Sequence, residues 1–368
     1  MSKKNKPFVS VCTPTFNRRP FIKSMIECFM HQTYPKNRIE WIIIDDGTDL
    51  IEELVINIPE VKYYKYDKKM SLGEKRNIMH DKSKGDIIVY MDDDDYYPPE
   101  RISHAVETLI NSTALCAGSS EIYIYFKHIQ KMYQFGPYGP NHATAGTFAF
   151  KRELLKDHKY NDNAALAEEK EFLKNYTVPF IQLNPLKTIL VFSHNHNTFD
   201  KKKLLQEQNV EYVKESNKTV DMFIKEEHLK QFFMFELEEI IESYDPGLPS
   251  MKPDVLQQII EIEEERRKDM ERFAYQNQPK IVVNNNGIQK EISMKEAVDI
   301  LQKQQEHINE LIQVINGKNM EIDFLKNSLS KIKENVEKTT EKICDTEMPV
   351  LELPECKTTI FDEINLEN

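Results

Sequence analysis

GDIIVYMDDDDYYPPERI, residues 85–102, is the stretch whose reading decides the fold. Ile87, Ile88, Val89, Tyr90 and Met91 make an unbroken apolar run, the pattern of a buried strand. It stops abruptly at four consecutive carboxylates, Asp92 to Asp95. Pro98, Pro99 and Glu100 follow with the composition of a helix start, for a segment ending near Ile110. The acid cluster therefore belongs to a strand-to-helix loop at the tip of a buried strand. Four carboxylates that close repel one another and raise some of their own pKa values, a cost that disappears when a divalent cation sits among them. A metal site is the first expectation.

The pattern recurs on both sides of this stretch. FVSVC (residues 8–12) is a short β-branched run that breaks at Thr13-Pro14-Thr15 before an amphipathic stretch over residues 21–31. EWIII (residues 40–44) is a second buried strand, ending in Asp45-Asp46-Gly47-Thr48-Asp49 before a helical pattern over residues 50–56. Residues 61–66 alternate as a third strand, and Ser71 to Asn77 leads into a helix reaching about Lys82. Strands alternating with helices predict a parallel, doubly wound sheet whose ligands bind outside the carboxyl ends of the strands. Three of those ends carry polar loops.

Past Thr113 the pattern changes to antiparallel-looking strands over residues 116–119, 122–128 and 130–135, then a Gly/Pro loop over residues 136–140. Residues 144–150 read as a further strand, 151–156 and 164–176 as helices, and 189–192 as an apolar strand leading to His194 and His196. The fold class expected is α/β, with a doubly wound, Rossmann-like mixed sheet ending near residue 203. A helical region spans residues 204–279, and KIVVNNNGIQKEI, within residues 280–293, reads as a β-hairpin turning at Asn286-Gly287. From 294 to 344 a seven-residue repeat places Met294, Leu301, Ile308, Ile315, Ile322, Leu329, Val336 and Ile343 at one position. Ala297, Leu311, Leu325 and Ile332 sit three residues on, which predicts a coiled coil and a homo-oligomer, dimer or trimer. Gly317 weakens it locally, and the acidic tail over residues 345–368 is expected to be disordered.

A net charge of −12 argues against a nucleic-acid or anionic-membrane binder, since both need a basic surface. The five cysteines are scattered and odd in number, which suits reduced thiols in a cytoplasm-like compartment. No run of about 18 apolar residues and no apolar leader is present, so neither a membrane span nor secretion is expected.

VSVCTPTFNR, EWIIIDDGTD, LGEKRN, GDIIVYMDDDD, TAGTFAFKRELL and AEEKEFL resemble, in order, the successive motifs of family 2 glycosyltransferases of the GT-A fold, over roughly residues 7–200. The resemblance implies a nucleotide-sugar donor, often a UDP-sugar, a divalent metal (Mn²⁺ or Mg²⁺), and transfer usually with inversion. The acceptor stays open as a glycan, a protein or a lipid-linked group.

By the same resemblance, Asp94 would bind the metal directly while Asp92 contacts ribose or metal-bound water, with Asp93 and Asp95 in support. Pro14, Thr15 and Asn17 would approach base and ribose, Asp45 and Asp46 would stand at the uracil side, and Gly73, Arg76 and Asn77 would lie near the donor. The family's general base is usually the Asp of a Glu-Asp pair. Here Glu168-Glu169 occupies that place, so Glu169 is the first candidate, Glu168 the second and Glu171 the third. Gly146 and Thr147 would lie under the acceptor. His194, ahead of His196, would be a third metal ligand, since imidazole can complete a carboxylate site for manganese.

Two other enzyme classes fit less well: a haloacid dehalogenase phosphotransferase, whose motif puts Thr or Val where Tyr96 stands, and a sugar-nucleotide pyrophosphorylase, whose glycine-rich N-terminal loop is absent. The non-enzyme alternative is a catalytically inactive GT-A recognition module on a coiled-coil oligomer, against which the intact carboxylates speak.

Overall fold

The computed structural model of the chain describes residues 6–166, 168–205, 211–276, 281–285 and 288–344. Strands β1 (Val9–Thr15), β2 (Ile39–Asp45), β3 (Val61–Lys65) and β4 (Ile87–Tyr90) run parallel in the order β3-β2-β1-β4. The crossovers are α1 (Arg19–Met30), α2 (Glu52–Val55), α3 (Leu72–Lys82) and α4 (Arg101–Ile110). Period-two alternation divides each strand between two cores. Val9, Val11, Trp41, Ile43, Ile87 and Val89 pack with Phe21, Phe29 and Ile102 from α1 and α4. Cys12, Ile42, Ile44, Ile88 and Tyr90 pack on the other face with Met79 of α3. Both faces are covered, which is why these strands read as continuous apolar runs.

The sheet then becomes mixed. The remaining strands of the body are β5 (Cys116–Gly118), β6 (Ile122–Phe126), β7 (Lys131–Phe135), β8 (Ala149–Lys151), β9 (Phe180–Gln182), β10 (Val191–Ser193) and β11 (Val213–Glu215). Strand β8 lies antiparallel between β4 and β5, giving the order β3-β2-β1-β4-β8-β5-β9, and a second sheet follows the order β10-β6-β7-β11. The body is therefore an α/β mixed-sheet domain with a helical C-terminal region.

Several local expectations differ from the structure. Residues 145–147 form a 3-10 turn instead of strand, closed by Thr147 Oγ1 donating to Thr144 O at 2.6 Å. Residues 152–156 are likewise 3-10, not α. The helix expected over 164–176 shrinks to α5 (Glu169–Phe172). Its N-terminal side is tied to α3, with Gly73 N donating to Ala164 O at 2.8 Å, and its C-terminal side ends in three left-handed residues, Lys174, Asn175 and Tyr176. The region after 204 is not all helix, because β11 pairs with β7 before α6 (Val220–Phe223), α7 (Glu227–Gln231), a π-turn (Phe232–Glu236) and α8 (Leu237–Glu242). Helix α9 (Pro253–Gln276) follows.

The chain divides into two compact units, Met1–Lys268 and Asp269–Asn368. The second contains the antiparallel strands β12 (Ile281–Asn285) and β13 (Ile288–Ile292) and the long helix α10 (Met294–Cys344). The expected turn at 286–287 and the tail at 345–368 lie outside the described residues. Along α10 the repeat residues Leu301, Ile308, Leu311, Ile315, Ile322, Leu325, Leu329, Ile332 and Val336 are exposed in the single chain. Among the described residues no helix is long and apolar enough to cross a membrane.

Candidate active site

The carboxyl ends of β1 and β4 open into a cleft of ≈ 190 Å³, lined by Pro14, Thr15, Phe16, Arg18, Lys75, Arg76, Asp92, Asp93, Asp94 and Lys252 among others. Asp92 is placed by its neighbours. Its backbone N donates to Tyr97 Oη at 2.8 Å, and that hydroxyl donates to Gly146 O at 3.2 Å. A Cβ on Gly146 would come within 2.6 Å of Asp92 Oδ2, so any larger residue would displace this carboxylate from its position. Asp92 Oδ1 is buried without a hydrogen-bond partner, and Arg76 Nη2 stands 3.9 Å away.

Electrostatics separate the four aspartates. Burial would raise Asp94, yet Arg18, 3.4 Å from its Oδ2, and Lys201 hold it below the usual carboxylate range. Burial raises Asp93 despite Arg18 at 3.7 Å, and burial plus the charge of Asp94 raises Asp95. Asp92 is also raised by burial, against the pull of Arg76. Asp94 is thus the member held ionised.

Among the described residues, no three His, Cys, Asp or Glu side chains converge as a ready metal-ligand set. The residues present nonetheless fit a hard cation. Magnesium-like ions are commonly held by one or two carboxylates together with substrate phosphates and water. Asp94 offers an ionised carboxylate, and Asp92 Oδ1 is a buried acceptor with nothing to accept from. His194 Nε2 lies 3.6 Å from Asp94 Oδ2 but already accepts from Asn197 Nδ2 at 2.9 Å. Asn197 cannot be flipped, because its Oδ1 accepts from His194 N at 2.8 Å. His194 is therefore neutral, as its burial also requires, with the proton on Nδ1. His196 sits apart, its ring against Gly247 and its carbonyl accepting from Arg18 Nη1 at 2.8 Å.

Several candidates are occupied by the protein itself. Asn17, with φ of 52°, accepts from Thr48 N and Asp49 N and donates to Pro246 O. Asp45 accepts from Gly47 N, Ile51 N and Tyr63 Oη. Asn77 bridges Tyr160 and Asp162, and a Cβ on Gly73 would overlap Asn161 O. Thr147 Oγ1 accepts from Ser119 N. None of these five lines the cleft. Asp46 is buried behind it, accepting from Met70 N at 2.6 Å and pairing with Lys75 Nζ at 2.7 Å.

Arg76 joins the two ends of the site. Its guanidinium lies 4.3 Å from the centroid of the Tyr90 ring, and its Nε donates to Glu168 Oε1 at 2.8 Å. Glu168 is buried in this pair, whereas Glu169 is half-buried beside it. Burial and the Glu168 charge push the Glu169 carboxyl up.

Sequence reasoning assigned no role to Arg18, Lys75 or Lys252. Lys252, between Pro249 and Pro253, reaches the cleft from far along the chain and donates to Thr198 Oγ1 at 3.0 Å. The ammonium groups of Lys69, Lys75 and Lys252 stand 5.5, 5.8 and 5.7 Å from the Phe16 ring centroid. Burial and Arg18 lower the Lys252 pKa, a penalty on its charged form that a bound anion would relieve. The only signal in the sequence was a lysine held between two proline breaks.

A mixed sheet of this strand order, with an Asp-x-Asp loop at the tip of β4 and a basic cleft facing it, defines a GT-A-like domain. Residues 10–165 match the family model for glycosyl transferase family 2. An uncharacterized glycosyltransferase of Haemophilus influenzae is 28% identical over 113 residues, covering 29% of this chain and 44% of that protein. The putative colanic acid biosynthesis glycosyl transferase WcaA of Escherichia coli is 31% identical over 105 residues, covering 27% and 37%. The chain thus spans less than half the length of these curated relatives. Among solved structures, the mannosyltransferase PcManGT from Pyrobaculum calidifontis, in complex with GDP-Man and Mn²⁺, is 14% identical with a TM-score of 0.43, covering 70% of this chain and 80% of that one.

Proposed function

We propose that the chain is a metal-dependent glycosyltransferase that moves a sugar from a nucleotide-sugar donor, a UDP-sugar, to an acceptor hydroxyl with inversion. The observation that carries this is the gathering, in one cleft, of an ionised Asp94 and an unpartnered Asp92 Oδ1 with the basic groups of Arg18, Lys75 and Lys252. A nucleoside diphosphate bound together with a cation would meet both kinds of group. Asp94 and Asp92 would hold Mn²⁺ or Mg²⁺, whose charge neutralises the departing diphosphate. His194 joins that set only if Asn197 releases its Nε2. Pro14, Thr15 and Phe16 are proposed to border the nucleoside, and Arg18, Lys252 and Arg76 the phosphates.

In a single displacement the acceptor oxygen bonds to the anomeric carbon as the bond to the β-phosphate oxygen breaks. The acceptor proton passes to a base, and the electron pair leaves with the diphosphate. Glu169 suits that base better than Glu168, because Glu168 is committed to Arg76 and the raised pKa of Glu169 brings it closer to neutrality. Gly146 serves by keeping Asp92 in place. The repeat along α10 is proposed to pair copies of the chain as a coiled coil, and the chain is proposed to act in the cytoplasm.

The test is a screen of nucleotide sugars with Mn²⁺ or Mg²⁺, following nucleotide diphosphate release in the native sequence, Asp94→Asn and Glu169→Gln. Release confined to the native sequence supports the mechanism. Turnover surviving both substitutions refutes it, and no release with any donor favours the inactive recognition module.

A further inference from the structure

Outside the donor cleft, four aromatic rings form a continuous ledge. The His142 ring lies 5.0 Å from Tyr138 and 4.8 Å from Tyr176, and Tyr138 lies 5.3 Å from Tyr212. None of these residues lines the donor cleft. Backbone hydrogen bonds fix the segments that carry the first three. Gln182 Nε2 donates to Pro140 O at 2.8 Å and His142 O at 2.9 Å, while its Oε1 accepts from Ser120 N at 2.8 Å. Tyr176 closes the left-handed run that begins at Lys174, with φ values of 49°, 55° and 60°. Non-glycine residues persist in that region only where the surroundings enforce them. Asn175 N donating to Lys170 O at 2.8 Å and Thr177 N to Leu173 O at 3.1 Å supply that enforcement.

The ledge adjoins the proposed base. The Tyr176 hydroxyl is pushed up by burial and then by the charges of Glu169 and Glu168. Beside it lies a groove of ≈ 530 Å³ lined by Leu166, Glu168, Lys170, Glu171, Lys174 and Asn175. That volume falls in the range of about 300–1,000 Å³ usual for small-molecule sites. The loop bearing His142 runs on through Thr144 to Gly146, which touches Asp92.

We propose that the ledge of Tyr138, His142 and Tyr176, with its adjoining groove, is the acceptor subsite and takes an uncharged pyranose ring of a glycan. A pyranose offers a C–H face that stacks on an aromatic ring and a rim of hydroxyls that both donate and accept. The groove matches that rim with lysine and asparagine donors and glutamate acceptors. The carboxylates of Glu168 and Glu171 in the groove disfavour a phosphorylated or carboxylated acceptor.

This inference rests on the transferase reading of the donor cleft, and the test separates the two. Saturation-transfer NMR on the full chain uses methyl β-glucopyranoside, methyl α-mannopyranoside and methyl β-glucuronide as probes, with UDP and diamagnetic Mg²⁺ as the donor-side control. The expected result is saturation of ring C–H protons in at least one neutral glycoside. It should weaken by a factor of roughly 2–10 for each of Tyr138→Ala and Tyr176→Ala, persist in Tyr176→Phe, and leave UDP binding unchanged. Absence of transfer to both neutral glycosides overturns the subsite. So does transfer that survives both alanine substitutions in folded protein, or a preference for the glucuronide. Loss of the UDP signal in the native sequence would count against the donor cleft alone.

Discussion

Gly146→Ala isolates the geometry of Asp92. The added methyl would lie 2.6 Å from Asp92 Oδ2, whereas ordinary contact begins near 3.4 Å, so the carboxylate must retreat by roughly 0.8 Å. The yielding atom is the end of a side chain, and alanine is preferred to glycine by roughly 0.5–1 kcal/mol in helical backbone. Folding stability should therefore change little. Catalysis should not escape, because a displacement of about 1 Å at reacting groups costs on the order of 100-fold, or about 2.7 kcal/mol. The assay is nucleotide diphosphate release beside a thermal melt, repeated in an Asp92→Ala background. Steric action through Asp92 predicts a loss on the order of 100-fold in the native background and almost none in the other. Full activity of Gly146→Ala, or an equal loss in both backgrounds, would refute the reasoning.

Further expectations concern the cleft walls. Lys252→Ala should weaken nucleoside diphosphate binding about tenfold, with Lys252→Arg recovering most of it, as read by calorimetry. Arg76→Ala leaves Glu168 buried without its partner and should cost roughly 3–5 kcal/mol of stability in denaturant unfolding, with Arg76→Ala/Glu168→Gln recovering part of the loss. Asp95, raised above its ordinary value of 3.8, holds a proton in the native state that the unfolded chain has released, so its contribution is intact below that value and is lost as pH rises through the native one. Asp95→Asn removes that dependence, and its melting temperature relative to the native sequence should climb as pH increases. Leu325→Asp in α10 should lower the sedimenting mass to that of a monomer while the nucleotide site stays intact.

The sheet was legible because β1, β2 and β4 are buried on both faces, which leaves continuous apolar runs that end where polar loops begin. The tips of those strands located Asp92 and Asp94 for the same reason. What the sequence hid is made by packing between distant segments. Asn17 and Asp45 look like nucleotide contacts in a motif, yet their side chains are consumed in fixing the β2–α2 loop. Lys252 arrives from the opposite direction, because a lysine 158 residues beyond Asp94 carries no local pattern linking it to the cleft. The shortened α5 has a similar cause, since contacts with α3 and a left-handed run override the helical periodicity of residues 164–176.

The central claim is that one cleft binds a nucleoside diphosphate through a cation on Asp94. Calorimetric titration of UDP into the full chain tests it most directly, with Mn²⁺, with EDTA, and with Mn²⁺ in Asp94→Asn. The account predicts binding in the first case and a loss of about tenfold or more in the other two. Equal affinity under all three conditions, or none with Mn²⁺, would contradict it.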